Sequence, residues 1–142
     1  MTRTALDTGV VVAALMSWHD AHPRAHHAVQ SCRRAELVLP RTTPVQTFSV
    51  MTRLPSGYGV TAERAREMLR NTFAGRGAAV VQDPPEPWDL VDRAVRAGAR
   101  GGGIHDFKIL ECAVAAKAKR LLTLDAADFR RFGDRGVEIV EP

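Results

Sequence analysis

Thr4-Ala5-Leu6-Asp7-Thr8-Gly9, running straight into the apolar segment Val10 to Leu15, is the stretch on which the reading of the fold turns. A short apolar strand that delivers one carboxylate and passes at once into a buried helix is how an α/β fold sets a charge at the rim of its sheet. Asp7 is that charge. Its ordinary alternative is helix capping, because an aspartate oxygen accepts from the free amides of a first helical turn, a task Thr8 could share. Which role holds depends on whether other acids converge on the same place.

Working outward, the apolar periodicities alternate strand with helix. Helix is expected from Thr8 to about Trp18, then from Pro23 with Ala25, Ala28, Val29 and Cys32 inward and Arg24, Arg33 and Arg34 outward. The strand Glu36 to Pro40 ends on a residue without an N–H. A third helix spans Thr43 to Leu54, and Thr61 caps a fourth with Ala65, Met68, Leu69, Thr72 and Phe73 on one face. Ala78 to Val81 is another strand. Pro84 to Pro87 leads into a helix with Leu90, Val91, Ala94 and Val95 inside.

Gly98 to Gly103 lacks the Gly-Lys-Ser/Thr ending of a phosphate-cradling loop and reads as a mobile hinge. From Ile104 to about Lys119 the stripe Ile104, Phe107, Leu110, Ala113 and Val114 marks a helix with Lys108 and Glu111 off it. Leu121 to Leu124, one helical turn from Asp125 to Phe129, and Val137 to Val140 close the chain. Five strands separated by helical stretches argue a mostly parallel sheet covered on both faces.

A chain of 142 residues fits one domain, spanning 1–142, with enough core to need no staples. Hydrophobic residues at 45% and charged residues at 25% exclude a disordered or fibrous chain. The two cysteines, Cys32 and Cys112, sit at apolar helical positions and read as small core residues of a reducing compartment. No segment has the pattern of a secretion signal or the length of a membrane span, so a cytoplasmic location is the expectation, with no membrane partner. The +4 net charge fits either a polyanion partner or simple solubility.

In a parallel sheet, residues just after strands, and the first turns of helices that follow strands, share one edge. Asp7 follows the first strand and Asp125 the fourth, while Asp106 lies in the first turn of the helix leading back to that fourth strand. If those two strands are neighbours, the three acids share a crevice. Unit charges about 4 Å apart repel by about 4 kcal/mol at an effective dielectric near 20, so such a crevice calls for a cation. Oxygen ligands suit a hard ion, Mg²⁺ or alternatively Mn²⁺, which keeps waters and also takes substrate phosphate. That is the arrangement for in-line phosphodiester hydrolysis. Asp128, near Asp125, is read as support for the site rather than as a cap of its own turn.

Ala5-Leu6-Asp7-Thr8, the run Thr47 to Pro55, Gly103-Ile104-His105-Asp106, and Leu122-Thr123-Leu124-Asp125-Ala126-Ala127-Asp128-Phe129 together resemble PIN-domain ribonucleases, most nearly the VapC toxins of bacterial toxin-antitoxin pairs. The resemblance covers nearly the whole chain in order. It implies a three-layer α/β/α PIN-like fold, Mg²⁺-dependent cleavage of RNA, homodimerisation, and inhibition by a cognate antitoxin protein. Asp7, Asp106 and Asp125 then hold the metal. In the family's pattern a further metal-holding glutamate precedes the Thr47-Phe48-Ser49-Val50 run; this chain has Gln46 there. An amide offers one carbonyl oxygen but neither the charge nor a base. Reduced Mg²⁺ binding and cleavage are therefore expected, whether Gln46 is native or introduced.

Other residues have plainer readings. His19, His22 and His26 could be written as a metal cluster, but no acid or cysteine stands at ligand spacing, and solvated helix-end histidines are expected instead. His105 is read as a rim residue before a phosphate contact, and Arg53 as a charge complementing its helix end. Trp18 and Trp88 are read as packing or dimer-interface residues rather than base-stacking platforms. A noncatalytic RNA-binding member of the same fold is the rival that Gln46 supports. A phosphoacceptor domain is disfavoured, since no second acid adjoins Asp7.

Overall fold

The computed structural model describes residues 2–142. Strand β1 (Thr4–Leu6) leads through Asp7, in extended conformation, into helix α1 (Thr8–Leu15). Helix α2 (His22–Gln30), a 3₁₀ turn (Arg34–Glu36), β2 (Leu37–Pro40), α3 (Thr43–Arg53) and α4 (Ala62–Phe73) follow. Then come β3 (Val80–Gln82), α5 (Pro87–Ala97), α6 (Gly103–Ala115), β4 (Arg120–Leu122), α7 (Ala126–Arg130) and β5 (Glu138–Val140).

All strands pair in parallel, in the order β3-β2-β1-β4-β5. The chain therefore builds outward from β1 to β3, then returns to the other side of β1, and the reversal falls between β1 and β4. Side-chain alternation along the strands feeds two cores. Leu6, Leu37, Leu39 and Leu122 pack with α1 and α2 on one face, and Ala5, Val38 and Leu121 pack with α6 and Phe129 of α7 on the other. This is the expected three-layer α/β/α arrangement, with a sheet that is wholly parallel. A third cluster, Val12, Met16, Met51 and Ala65, joins α1 to α3 and α4.

Local chemistry sets the element ends. Thr61 Oγ1 accepts from the Arg64 amide at 3.2 Å, capping α4 as its sequence implies. Glu86 caps α5 through the amides of Trp88 and Asp89, at 2.9 and 3.3 Å. Helix α1 stops at Leu15, short of Trp18, because Met16 turns extended. Helix α6 stops at Ala115 because Lys117 adopts a left-handed φ of 57°, with the Ala118 amide reaching back to the Ala113 carbonyl at 2.9 Å. The glycine stretch is a hydrogen-bonded turn rather than an open hinge: Gly98 ends α5 at φ 74°, and the Gly103 and Ile104 amides close onto Arg100 and Gly101.

Two inward and outward assignments are reversed. Val91 and Val95 face solvent, and with Trp88 they form an exposed apolar stripe on α5, which is anchored mainly through Ala94. Glu111 is buried at 2% exposure, because α6 is enclosed nearly all round and Arg93 and Arg135 meet the carboxylate at 2.7 and 2.6 Å. Cys112 is buried, its thiol pushed up to about 11 by desolvation, whereas Cys32 lies just beyond the end of α2. No helix of the described residues is long and apolar enough to cross a membrane.

Candidate active site

The register of β1 against β4 builds the site. Leu6 pairs with Leu122, so the next residues, Asp7 and Thr123, emerge side by side at the carboxyl edge where the chain reverses. The Thr123 hydroxyl donates to Asp7 Oδ2 at 2.8 Å and accepts from the Asp125 amide at 3.0 Å. One threonine thus fixes the Asp7 carboxylate and the backbone at Asp125. Asp7 stands at the N-cap of α1 without the side-chain bond of a helix cap, and the Thr8 amide is the first-turn group that acts on its carboxyl.

Asp7 is 8% exposed, and burial lifts its carboxyl from 3.8 to about 6. The Thr123 hydrogen bond pulls downward, the charge of Asp106 pushes upward, the Thr8 amide pulls downward, and the charge of Asp125 pushes upward. Asp106, half-buried at the start of α6, is raised as well. Burial acts first, then repulsion from Asp128, opposed by Arg131, with a further push from Asp125 and relief from His105. Asp7, Asp106 and Asp125 therefore lie on one side of the molecule, close enough for their charges to interact.

Asp128 stands on the first turn of α7, where it acts on Asp106, and it lines a 400 Å³ depression with Asp125 and Arg130. Gln46 reaches the same edge from α3: its Oε1 accepts from Thr8 Oγ1 at 3.2 Å, one residue from Asp7. His105 is exposed at the rim, and Arg53 is exposed in the last turn of α3.

Among the described residues, no three His, Cys, Asp or Glu side chains close into a preformed metal cage. A Mg²⁺ ion does not need one, since it binds through one or two carboxylates and retains water. The donor set is all oxygen, and Asp7 and Asp106 are raised first by burial and then by the charges of neighbouring acids. The residues present fit such an ion, with the weakest donor at Gln46.

Two site residues were not assigned from sequence. Thr123 stands in a run read only as strand, although a hydroxyl two residues before an acid is a recognisable turn-former. Arg131 Nη2 lies 3.9 Å from Asp106 Oδ2, its guanidinium against the space a side chain would fill at Gly103. Nothing in the local pattern around Arg131 points to that contact.

Over 135 residues, 95% of this chain and 96% of the relative, the sequence is 30% identical to Ribonuclease VapC40 of Mycobacterium tuberculosis, in strains CDC 1551 / Oshkosh and ATCC 25618 / H37Rv alike. The chain belongs to the VapC ribonuclease family. Solved structures agree on the fold. FitAcB from Neisseria gonorrhoeae matches with a TM-score of 0.67 and 20% identity, covering 96% of this chain and 95% of its own. VapBC2 from Rickettsia felis, bound to a DNA fragment from its promoter, matches at 0.64 and 14% identity, covering 99% of both chains. No family model matches the chain. The PIN-like fold expected from the sequence is thus the one shared with VapC-type structures, and a nuclease is the class its VapC relatives indicate.

Proposed function

We propose that the protein is a metal-dependent endoribonuclease, the toxin of a toxin-antitoxin pair, working at Asp7, Asp106 and Asp125. The observation that carries the reading is the Thr123 bridge, which ties the Asp7 carboxylate to the backbone of Asp125 at the sheet's switch point, within reach of the charge of Asp106. These three acids are the residues that would hold Mg²⁺ or Mn²⁺, with Gln46 in a fourth position. When bound, the ion supplies an acidified water and stabilises charge on the phosphate oxygens. The protein keeps Asp7 fixed and desolvated, and Arg131 places positive charge beside Asp106, where an RNA phosphate would arrive. Arg24 and Arg33 are exposed for backbone contacts, whereas Arg34 is engaged by the Asn71 and Ala74 carbonyls at 2.8 Å each.

A cognate antitoxin is the expected protein partner, supported by solved neighbours that are two-component FitAB and VapBC2 assemblies. The stripe of Trp88, Val91 and Val95, with Trp88 77% exposed, supports homodimerisation. Trp88→Asp should then shift the elution volume toward a monomer, and an unchanged mass in light scattering would remove α5 from the interface.

Gln46 makes this form a weak enzyme. Isothermal titration with Mg²⁺ and cleavage of a labelled RNA are expected to show tighter binding and faster turnover for Gln46→Glu, with no cleavage in Asp7→Asn or in chelator. Equal behaviour of the unaltered protein and the Gln46→Glu variant refutes the attenuation. The second reading, a noncatalytic RNA binder, rests on the same amide. It would be selected by salt-sensitive RNA binding without Mg²⁺-dependent turnover in either protein.

A further inference from the structure

Helix α1 begins at the acidic edge and ends away from it, and its last turn leaves the carbonyls of Ala13 and Ala14 needing donors. Two histidines one turn apart on α2 supply them. His22 Nδ1 lies 2.8 Å from the Ala13 carbonyl oxygen and His26 Nδ1 lies 3.3 Å from that of Ala14. A carbonyl only accepts, so both Nδ1 atoms carry hydrogen, and in the neutral rings both Nε2 atoms are left with lone pairs. A backbone carbonyl holding one imidazole nitrogen is the usual support for a ligand that binds metal through the other.

The spacing also fits. The ring centroids of His22 and His26 are 5.2 Å apart and the ring planes are tilted by 33°. Two imidazoles bound through nitrogen at about 2.0–2.1 Å in tetrahedral geometry have centroids about 5 Å apart. Both rings line a cavity of 270 Å³ whose other polar walls are Gln30, Arg64, Asn71 and Thr72. It has room for waters or a small anion to complete a coordination shell. Arg64, the one cation among the described residues there, is paired with Glu67 at 2.8 Å. No carboxylate of the described residues lines this cavity, so its donors select nitrogen-preferring ions and not Mg²⁺. His19 stands apart: its Nδ1 accepts from the Ala21 amide at 3.0 Å, leaving no lone pair on its other nitrogen when neutral.

We propose that His22 and His26 form a two-imidazole site for a borderline divalent ion, Zn²⁺ or Ni²⁺, separate from the acidic crevice and tying α2 to the end of α1. An ion held there also stabilises the fold by mass action, since the unfolded chain lacks the paired rings.

The test is Ni²⁺ titration of the full chain in excess Mg²⁺ at about pH 7.5, where an ordinary imidazole is mostly neutral. Proteins with His22→Gln, His26→Gln and His105→Gln are compared. Affinity should fall at least tenfold in the first two and stay within about twofold in the third; tenfold is about 1.4 kcal/mol. An unchanged affinity in His22→Gln and His26→Gln, or a loss confined to His105→Gln, overturns the site. Should either variant fail to fold, NMR of the unaltered protein decides. Sub-stoichiometric Ni²⁺ should broaden the ring signals of His22 and His26 ahead of those of His19, His27 and His105, and broadening centred on His105 overturns it. Neither readout involves RNA, so failure of the nuclease reading leaves the result unaffected.

Discussion

Asp7→Asn should make the metal-free protein more stable at neutral pH and not at acid pH. Burial holds the Asp7 carboxyl at about 6 against 3.8 outside the fold, so the folded protein binds this proton more tightly than the unfolded chain does. The contribution is fully present below the unfolded value and is lost as pH rises through about 6. A shift of about two units corresponds to about 3 kcal/mol, and at 8% exposure little of it is screened. Asp106 is raised in the same sense and adds to the slope.

Asparagine removes the charge yet still accepts from Thr123, so the bridge survives. Urea unfolding in chelator, from about pH 4 to 8, is the assay. The unaltered protein should lose stability across about pH 4–7, and the variant should lose about 3 kcal/mol less, equivalent to roughly 10 °C in Tm for a domain of this size. Millimolar Mg²⁺ should restore the unaltered protein at neutral pH and leave the variant unmoved, because an ion favours the ionised carboxylate. A difference between the two proteins that is constant with pH refutes the account of Asp7.

Gly103→Ala should leave stability unchanged or raise it by up to about 1 kcal/mol, because alanine is the better helix residue. The new methyl would overlap the Arg131 guanidinium and drive it from Asp106, so RNA cleavage should fall together with that of Arg131→Ala. Unchanged turnover in both variants would remove Arg131 from the site. Glu111→Gln should destabilise by about 2 kcal/mol in thermal or urea melts, less than for a pair buried on both sides because Arg93 and Arg135 are 43% and 30% exposed. A loss below about 0.5 kcal/mol would mean that the carboxylate contributes little. Thr47→Val should stabilise by about 1 kcal/mol, since the Thr47 hydroxyl is fully buried without a partner among the described residues and the methyl keeps its shape. A destabilised variant would show that the hydroxyl has a partner in solution.

The parts of the fold legible in the sequence were those governed by short-range rules. The β1–α1 corner, the Thr61 cap and the alternation of strands with helices follow from patterns of a few residues, and they sufficed to place Asp7, Asp106 and Asp125 on one edge. That β1 and β4 are neighbours could only be posed as a condition, because strand order depends on how helices cover the sheet and no local pattern encodes it. The misassigned residues share one cause. Val91 and Val95 are apolar and Glu111 is charged, but α5 meets little of the protein, whereas α6 is enclosed and Arg93 and Arg135 neutralise its acid. Helical periodicity reports which residues share a face, not how many neighbours that face will have.

The same distinction bears on Gln46. Sequence pattern finds the position and the structure places the amide beside Thr8, so geometry is retained while charge is lost. Burial first, and then the charges of neighbouring aspartates, already raise Asp7 and Asp106 there. A glutamate at position 46 would add to the repulsion in the metal-free protein and strengthen the hold on a divalent ion in the loaded one. Stability without metal and affinity for it should therefore move in opposite directions on Gln46→Glu. A variant that lost no stability in chelator, yet bound Mg²⁺ more tightly, would place the introduced carboxylate outside the electrostatic field of Asp7 and make its contribution one of ligand geometry alone.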